Sequence, residues 1–519
     1  MSATKVIRSA EKLIREATPQ DAMCFDSQRG LHQCRLSLPA SCGIPSPCGL
    51  PCELFIGPER HAVVELGNMA RLAVMIEPGL RGSFRRQAEE LIAQLMCIVR
   101  LHRMTLTATT MMVFLRDGAD EAECRNVLGA WFGDAMPVTT FVVQPPCGGG
   151  ALAIELWALS GPGVKVERLG PELIAVESDG IRWIYCGGIR GEASASDPYS
   201  ESATAFQRMQ HQLATAGICF DQVVRTWIYV NQITTGENGR QRYQEMNRAR
   251  TDFFREIPFG RRNRAMPAGA NLPLSSTGRG IEGEGWSGQK TLQELSGSSF
   301  PPLTPALSPL RGEGDDARTL ASNPIYPAST GIGTSGANIA MACMALNSKR
   351  PDVFILPLEN PQQTPACAYQ ATYSPQSPKF SRAMAVVQGH FITTLVSGTA
   401  SIVDAKTVHI GDIARQTEQT IDNIEKLIAP ENFARHGLSG GGATLRDIAK
   451  LRVYVKRQND YEICREVVER RLPRVPAIYL HADVCRPDLL VEIEAVAFSP
   501  FGGLARNGHV NGMERKEDA

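Results

Sequence analysis

The stretch from 447 to 498 decides the fold. It contains DIAKLRVYVKR (447–457), NDYEICREVVERRL (459–472), AIYLHADV (477–484) and LLVEIEAVAF (489–498). Branched and aromatic residues crowd the first, third and fourth segments, as strands require. The second is charged, with apolar residues at helical spacing. Pro473 and Pro476 stop that helix, and Arg486-Pro487-Asp488 forms the turn between the last two strands. Upstream, HFITTLVSGTASI (390–402) and KTVHIGD (406–412) read as a strand pair. A helix follows, with Ile413, Ile421, Ile424, Leu427 and Ile428 on one face. Residues 384–500 therefore form one unit of order ββαβαββ.

The same order recurs twice upstream. In residues 172–346, RWIYCGGIR (182–190) precedes the helix 202–217, the strand QVVRTWIYV (222–230) and the helix 242–257. The closing strands are PASTGIGTS (327–335) and NIAMACMAL (338–346). A fainter copy spans 53–160, with helices at 85–102 and 120–133 and strands at 107–117, 138–146 and 151–159. Three α+β units with helices along one face predict three sheets curling around a shared interior. Residues 262–322 interrupt the middle copy and are rich in Gly, Ser, Pro and Leu without apolar period. They read as a disordered insertion, with a regulatory loop as the alternative. Within them, PPLTPALSPLRGEG (301–314) looks like a translated mobile intergenic repeat. Residues 1–52 read as an irregular N-terminal segment, 347–383 as an ordered connector and 503–519 as a polar tail.

Lys+Arg and Asp+Glu number 54 each in 519 residues, so the net charge is zero. No basic footprint for nucleic acid or for a membrane surface follows. No apolar run approaches the roughly 18 residues that span a bilayer. The N-terminal stretch is charged throughout, without an apolar signal core, which points to the cytoplasm. The 14 cysteines are spread along the chain and read as reduced. Cys34, Cys42, Cys48 and Cys52 cluster, but no pair has the two-residue spacing of a zinc knuckle, and no metal site is expected.

The last unit resembles the Rid/YjgF proteins, whose fold is also described as chorismate mutase-like. Ser397-Gly398, the run DIAKLRVYV and the closing Glu492-Ile493-Glu494-Ala495 carry the likeness. The resemblance implies three degenerate repeats in one chain, arranged pseudo-trimerically. The carboxylate-binding Arg of the family's imine deaminases has no counterpart at Pro476-Ala477-Ile478 or Pro327-Ala328-Ser329, which argues against that reaction. RTWIYVNQI (225–233), NRARTDFF (247–254), YPASTGIGTSG (326–336), SGTAS (397–401) and Cys485 seven residues before Glu492 resemble the chorismatase branch. That resemblance implies cleavage of chorismate to pyruvate and 3-hydroxybenzoate, with 4-hydroxybenzoate as a possible second product, and no cofactor. By family position Glu492 is the general acid, and Gly398 and Cys485 mark the 3-hydroxybenzoate subgroup. A Rid-fold hydrolase or a metabolite-binding protein for another small carboxylate stays open, as does plain hydrolysis to a dihydroxy-cyclohexadiene carboxylate. Oligomeric state is left open.

The residues themselves support part of this. Glu492 stands in an almost wholly apolar strand, and burial keeps a carboxyl protonated. Glu494 shares its face. Glu155 looks like its counterpart in the first unit, whereas the second has Asn338 and Ala340 there. Arg465, in the second helix of the last unit, is a candidate carboxylate clamp, and so is Arg250 in the middle unit. Arg452 and Tyr229 lie on central strands and are expected to line the cavity or to join buried networks. Cys485 alone reads as a small buried hydrophobe, and Gly398 as a strand glycine allowing close approach.

Overall fold

In a computed structural model, residues 60–66, 69–79, 81–101, 107–192, 197–237, 239–259, 324–370 and 375–502 are described. The N-terminal segment with its cysteine cluster, the 262–322 insertion and the 503–519 tail lie outside the described residues.

The strands form three main sheets. The first holds β1 (His61–Leu66), β2 (Met69–Ile76), β3 (Thr107–Leu115), β4 (Val138–Val143) and β5 (Leu152–Ser160), in the order β1-β2-β5-β3-β4. The second holds β6 (Lys165–Gly170), β7 (Leu173–Ser178), β8 (Ile181–Arg190) and β9 (Val223–Asn231). After a small hairpin, β10 (Gly236–Glu237) and β11 (Arg240–Gln241), it is completed by β12 (Ala328–Thr334) and β13 (Ala340–Ser348), in the order β12-β9-β13-β8-β7-β6. The third holds β14 (Val353–Leu358), β15 (Ala383–Gln388) and β16 (Phe391–Ala400). The hairpin β17 (Ile402–Val403) and β18 (Lys406–Thr407) follows. Then come β19 (Ile448–Val455), β20 (Ala477–His481) and β21 (Val491–Pro500), in the order β14-β15-β16-β21-β19-β20. One pattern recurs in all three. The last strand enters antiparallel between two earlier ones, and a single parallel pair closes one edge: β3/β4, β9/β12 and β19/β20.

Helices cover one face of each sheet. They are α1 (Phe84–Leu101), α2 (Glu121–Phe132), α3 (Pro198–Thr215), α4 (Arg242–Arg255), α5 (Ile413–Ile428), α6 (Pro430–Arg435) and α7 (Tyr461–Arg471). The five isoleucines and leucines predicted on α5 are all buried against the third sheet. Strand periodicity splits each sheet's residues between two cores. Along β19, Val453 and Val455 face the helices, whereas Tyr454 faces an interior shared with Trp227 of the second sheet and Phe114 of the first.

The outlines predicted from sequence change in places. The segment 347–383 is not only a connector, because β14 is the edge strand of the third sheet. The hairpin β6–β7 extends the second sheet upstream of 172, and β1–β2 precede the first helix. α3 starts at Pro198, four residues before the predicted start, because Asp197 caps it by accepting from the Tyr199 and Ser200 amides. Among the described residues, no helix is long and apolar enough to cross a membrane.

Candidate active site

A cleft of about 650 Å³ lies between the second and third sheets. Its floor is Glu492 on β21, which is 4% exposed. The bulge in β16 between Val396 and Thr399 brings Gly398 against this carboxyl. A Cβ at Gly398 would overlap the Glu492 carboxylate, lying 2.8 Å from its Cδ, and would also sit 3.2 Å from Thr330 Cγ2. Glycine here is a requirement of close approach. The Gly398 amide donates to Thr330 Oγ1 at 3.0 Å, and the Ser329 amide donates to Ser397 Oγ at 2.9 Å. These bonds join β12 to the bulge and set the width of the cleft.

Glu492 and Glu494 lie two residues apart on the same strand face, yet their proton affinities diverge. Burial, then the like charge of Glu494, pushes the Glu492 carboxyl up to about 8, with Arg225 and Arg382 opposing. Burial would raise Glu494 as well, but Arg452, Arg225 and Lys450 hold it below the ordinary carboxylate range. Glu494 accepts from Arg225 at 2.8 Å, Arg452 at 2.9 Å, Trp227 Nε1 at 3.0 Å and Thr330 Oγ1 at 2.5 Å. One carboxyl is therefore neutral and facing a cleft, and its neighbour is an ionised, saturated anion.

Two guanidinium groups enter the cleft. Arg250 on α4 is 2% exposed and donates to Asn247 Oδ1 and to Ser329 Oγ at 3.4 Å. Arg382, just before β15, is 3% exposed and donates to Tyr369 Oη at 2.6 Å and Thr364 O at 3.1 Å. The Nε of each has no hydrogen-bond partner among the described residues. Tyr243, Phe380 and Tyr369 supply flat walls. Cys485 lines the same cleft as a thiol, since burial, then the nearby Glu492, pushes its proton affinity up to about 12. Among the described residues, no group of three or more His, Cys, Asp or Glu side chains is placed to hold a metal ion.

Of the residues singled out from sequence, the cleft brings together Glu492, Cys485, Gly398 and Arg250. It does not contain Arg465. That side chain is 41% exposed on α7 and pairs with Glu462 and Glu469, because its face of the helix turns to solvent. Arg452 and Tyr229 also stand outside the cleft. Arg452 spends its guanidinium on Glu155, Glu494 and the Tyr229 hydroxyl, in the interior behind Glu492. The register also corrects the carboxylate correspondence. Strand pairing matches Glu155 to Glu494, and the positions matching Glu492 are Ala153 and Ala340. Glu492 is thus unique among the three sheets. Arg382 and Tyr243 were missed. A lone Arg heading the apolar run AMAVV (383–387) was the available signal for Arg382.

Residues 155–278 match the family model for the N-terminal part of FkbO/Hyg5-like chorismatases. The 3-hydroxybenzoate synthase of Streptomyces hygroscopicus is 40% identical over 179 residues, 33% of this chain and 50% of that protein. Over these stretches the chain is similar to chorismatases. A RutC family protein of Pyrococcus abyssi is 32% identical over 139 residues, 25% of this chain and 98% of that protein. A chorismatase crystal structure superposes with a TM-score of 0.52 at 22% identity, covering 83% of this chain and 100% of that one. The fold is therefore Rid-like. The chain spans about half the length of the curated chorismatases it matches.

Proposed function

We propose that this cleft cleaves chorismate to pyruvate and 3-hydroxybenzoate. The observation that carries this reading is a buried Glu492 carboxyl, its proton affinity raised by that burial, facing a cleft with two buried guanidiniums. Chorismate presents two carboxylates and an acid-labile enol ether. Arg250 and Arg382 each offer charge and a free N–H to a carboxylate. Glu492 protonates the methylene carbon of the enolpyruvyl group, and the ether carbon becomes cationic. Water captures that carbon, and the hemiketal so formed collapses: its bond to the ether oxygen breaks, pyruvate leaves and a ring diol remains. Loss of water and a proton from the ring gives the aromatic acid. The two products together contain the atoms of chorismate, so no oxidant, metal or further reactant is consumed. Exclusion of bulk water by Tyr243, Phe380 and Tyr369 protects the cation. Cys485 stays neutral and borders the ring, which suits steering rather than nucleophilic attack.

The recurring strand order supports three degenerate Rid-like repeats in a pseudo-trimeric arrangement within one chain. The acid belongs to the last repeat alone, so one cleft carries the chemistry. The test is incubation of the full chain with chorismate, with pyruvate measured enzymatically and aromatic products separated. Pyruvate with 3-hydroxybenzoate is expected. Pyruvate with a non-aromatic diol would overturn the product assignment, and absence of pyruvate would overturn the reaction.

A further inference from the structure

Arg71 sits on β2, in the run ARLAVMI (70–76). Strand alternation turns it inward with Ala73 and Met75, and it is only 4% exposed. Its guanidinium carbon lies 4.8 Å from the ring centre of Trp183 on β8. It borders two cavities at one end of the shared interior. The outer one, about 270 Å³, is lined by Val176, Trp183 and Phe391 together with Asp179, Arg350 and Asp352. The inner one, about 20 Å³, is shared with Lys450.

Two accounts of this group do not close. The first concerns hydrogen bonds. Arg71 Nε and Nη2, and Trp183 Nε1, have no partner among the described residues. Nε and Nη2 form one edge of the guanidinium. Arg452 presents that same edge to the two oxygens of Glu155, and Arg465 presents it to Glu462. It is a carboxylate-binding edge. The second concerns charge. Arg71, Arg225, Lys450 and Arg452 are buried cations in or beside this interior, against Glu155 and Glu494. Both acids are engaged by the other three cations. On the lining of the outer cavity Asp179 and Asp352 both pair with Arg350, which leaves one surplus negative charge there, and neither acid bonds Arg71. A buried cation with neither counter-charge nor acceptor is costly.

We propose that this cavity is a second binding site, distinct from the catalytic cleft, for a small monocarboxylate with a flat apolar body. The carboxylate takes the Nε–Nη2 edge of Arg71, and the body lies among Trp183, Phe391 and Val176. The volume suits a single ring, below the span of drug-sized pockets. Asp179 and Asp352 on the same lining disfavour a dianion such as inorganic phosphate. The proposal does not depend on the reaction assigned to Glu492.

Benzoate is the probe, titrated calorimetrically into the full chain. Saturable binding is expected, weakened about tenfold or more in Arg71→Met, since a charged two-point contact is lost. Trp183→Phe keeps the ring and removes one donor. It should weaken binding several-fold, and it serves as the readout if Arg71→Met fails to fold. Arg250→Ala should leave the benzoate affinity within about twofold. No saturable binding, or an affinity equal to the parent's in both Arg71→Met and Trp183→Phe, would overturn the site. Loss of binding in Arg250→Ala alone would place benzoate in the catalytic cleft and overturn it equally. Phosphate displacing benzoate at matched concentration would overturn the ligand class.

Discussion

The proposed chemistry depends on the missing side chain at Gly398 and on a proton at Glu492. Gly398→Ala puts a Cβ where the Glu492 carboxyl stands, on a backbone held by the Thr330 hydroxyl. The carboxyl must then leave the cleft floor. We expect kcat on chorismate to fall about a hundredfold or more with the fold intact, measured by pyruvate release alongside circular dichroism. Glu492→Gln keeps the shape and loses the acid, so chorismate should still bind while turnover collapses. The sign of the pH effect follows from the proton held to about 8. The acid form dominates below that pH, so kcat should be flat toward neutrality and fall as pH rises through about 8. Stability has the same direction. The folded chain holds this proton more tightly than the unfolded chain does, so the group favours folding at low pH and disfavours it as pH climbs from about 4.5 toward 8. The melting-temperature advantage of Glu492→Gln over the parent should therefore widen across that interval. A constant gap would mean that Glu492 is ionised in the fold.

At the scale of elements, the helices and strands of the last unit were plain in the sequence, because α5 and β19 each carry an unbroken period of 3.6 or 2. What the sequence concealed was destination. Arg465 and Arg250 both sit on the second helix of their repeats, Arg250 one turn beyond the position that matches Arg465, and pattern alone treats them alike. Packing separates them. α4 runs beside β12, so Arg250 reaches Ser329, whereas Arg465 meets Glu462, Glu469 and the Tyr461 ring of its own helix. Arg465→Ala should leave kcat/KM within about twofold, since exposed pairs of this kind contribute little. Arg250→Ala should lower kcat/KM on chorismate by about a hundredfold or more, as expected for loss of a buried carboxylate contact. Equal losses in both variants would contradict the placement of the cleft. The edge strand β14 went unseen for a related reason. VFILPL (353–358) carries a proline, which demotes a strand on pattern but is tolerated at a sheet edge.

The three sheets are joined by charge across their shared interior. Glu155 comes from the first sheet, Arg225 and Trp227 from the second, and Lys450, Arg452 and Glu494 from the third. Lys450 reaches Glu155 at 2.6 Å, and Arg452 bonds both Glu155 and Glu494. Arg225 closes the chain of contacts onto Glu494 at 2.8 Å. Each acid thus bonds cations from a sheet other than its own, and no single sheet can satisfy its buried charges alone. Sequence could flag Glu155 as a carboxylate in an apolar strand, but its partners lie about 300 positions away and become visible only when the sheets close on one another. The arrangement predicts that the three sheets unfold together. Glu155→Gln leaves Lys450 and Arg452 short of their counter-charge, at a cost of about 3–5 kcal/mol. That loss should shift one common transition. Tryptophan fluorescence, reporting Trp157, Trp183 and Trp227 in the first two sheets, should move in step with far-ultraviolet circular dichroism in urea. Separate transitions, with the first sheet lost early, would show that the buried charges hold Glu155 in place without coupling the sheets.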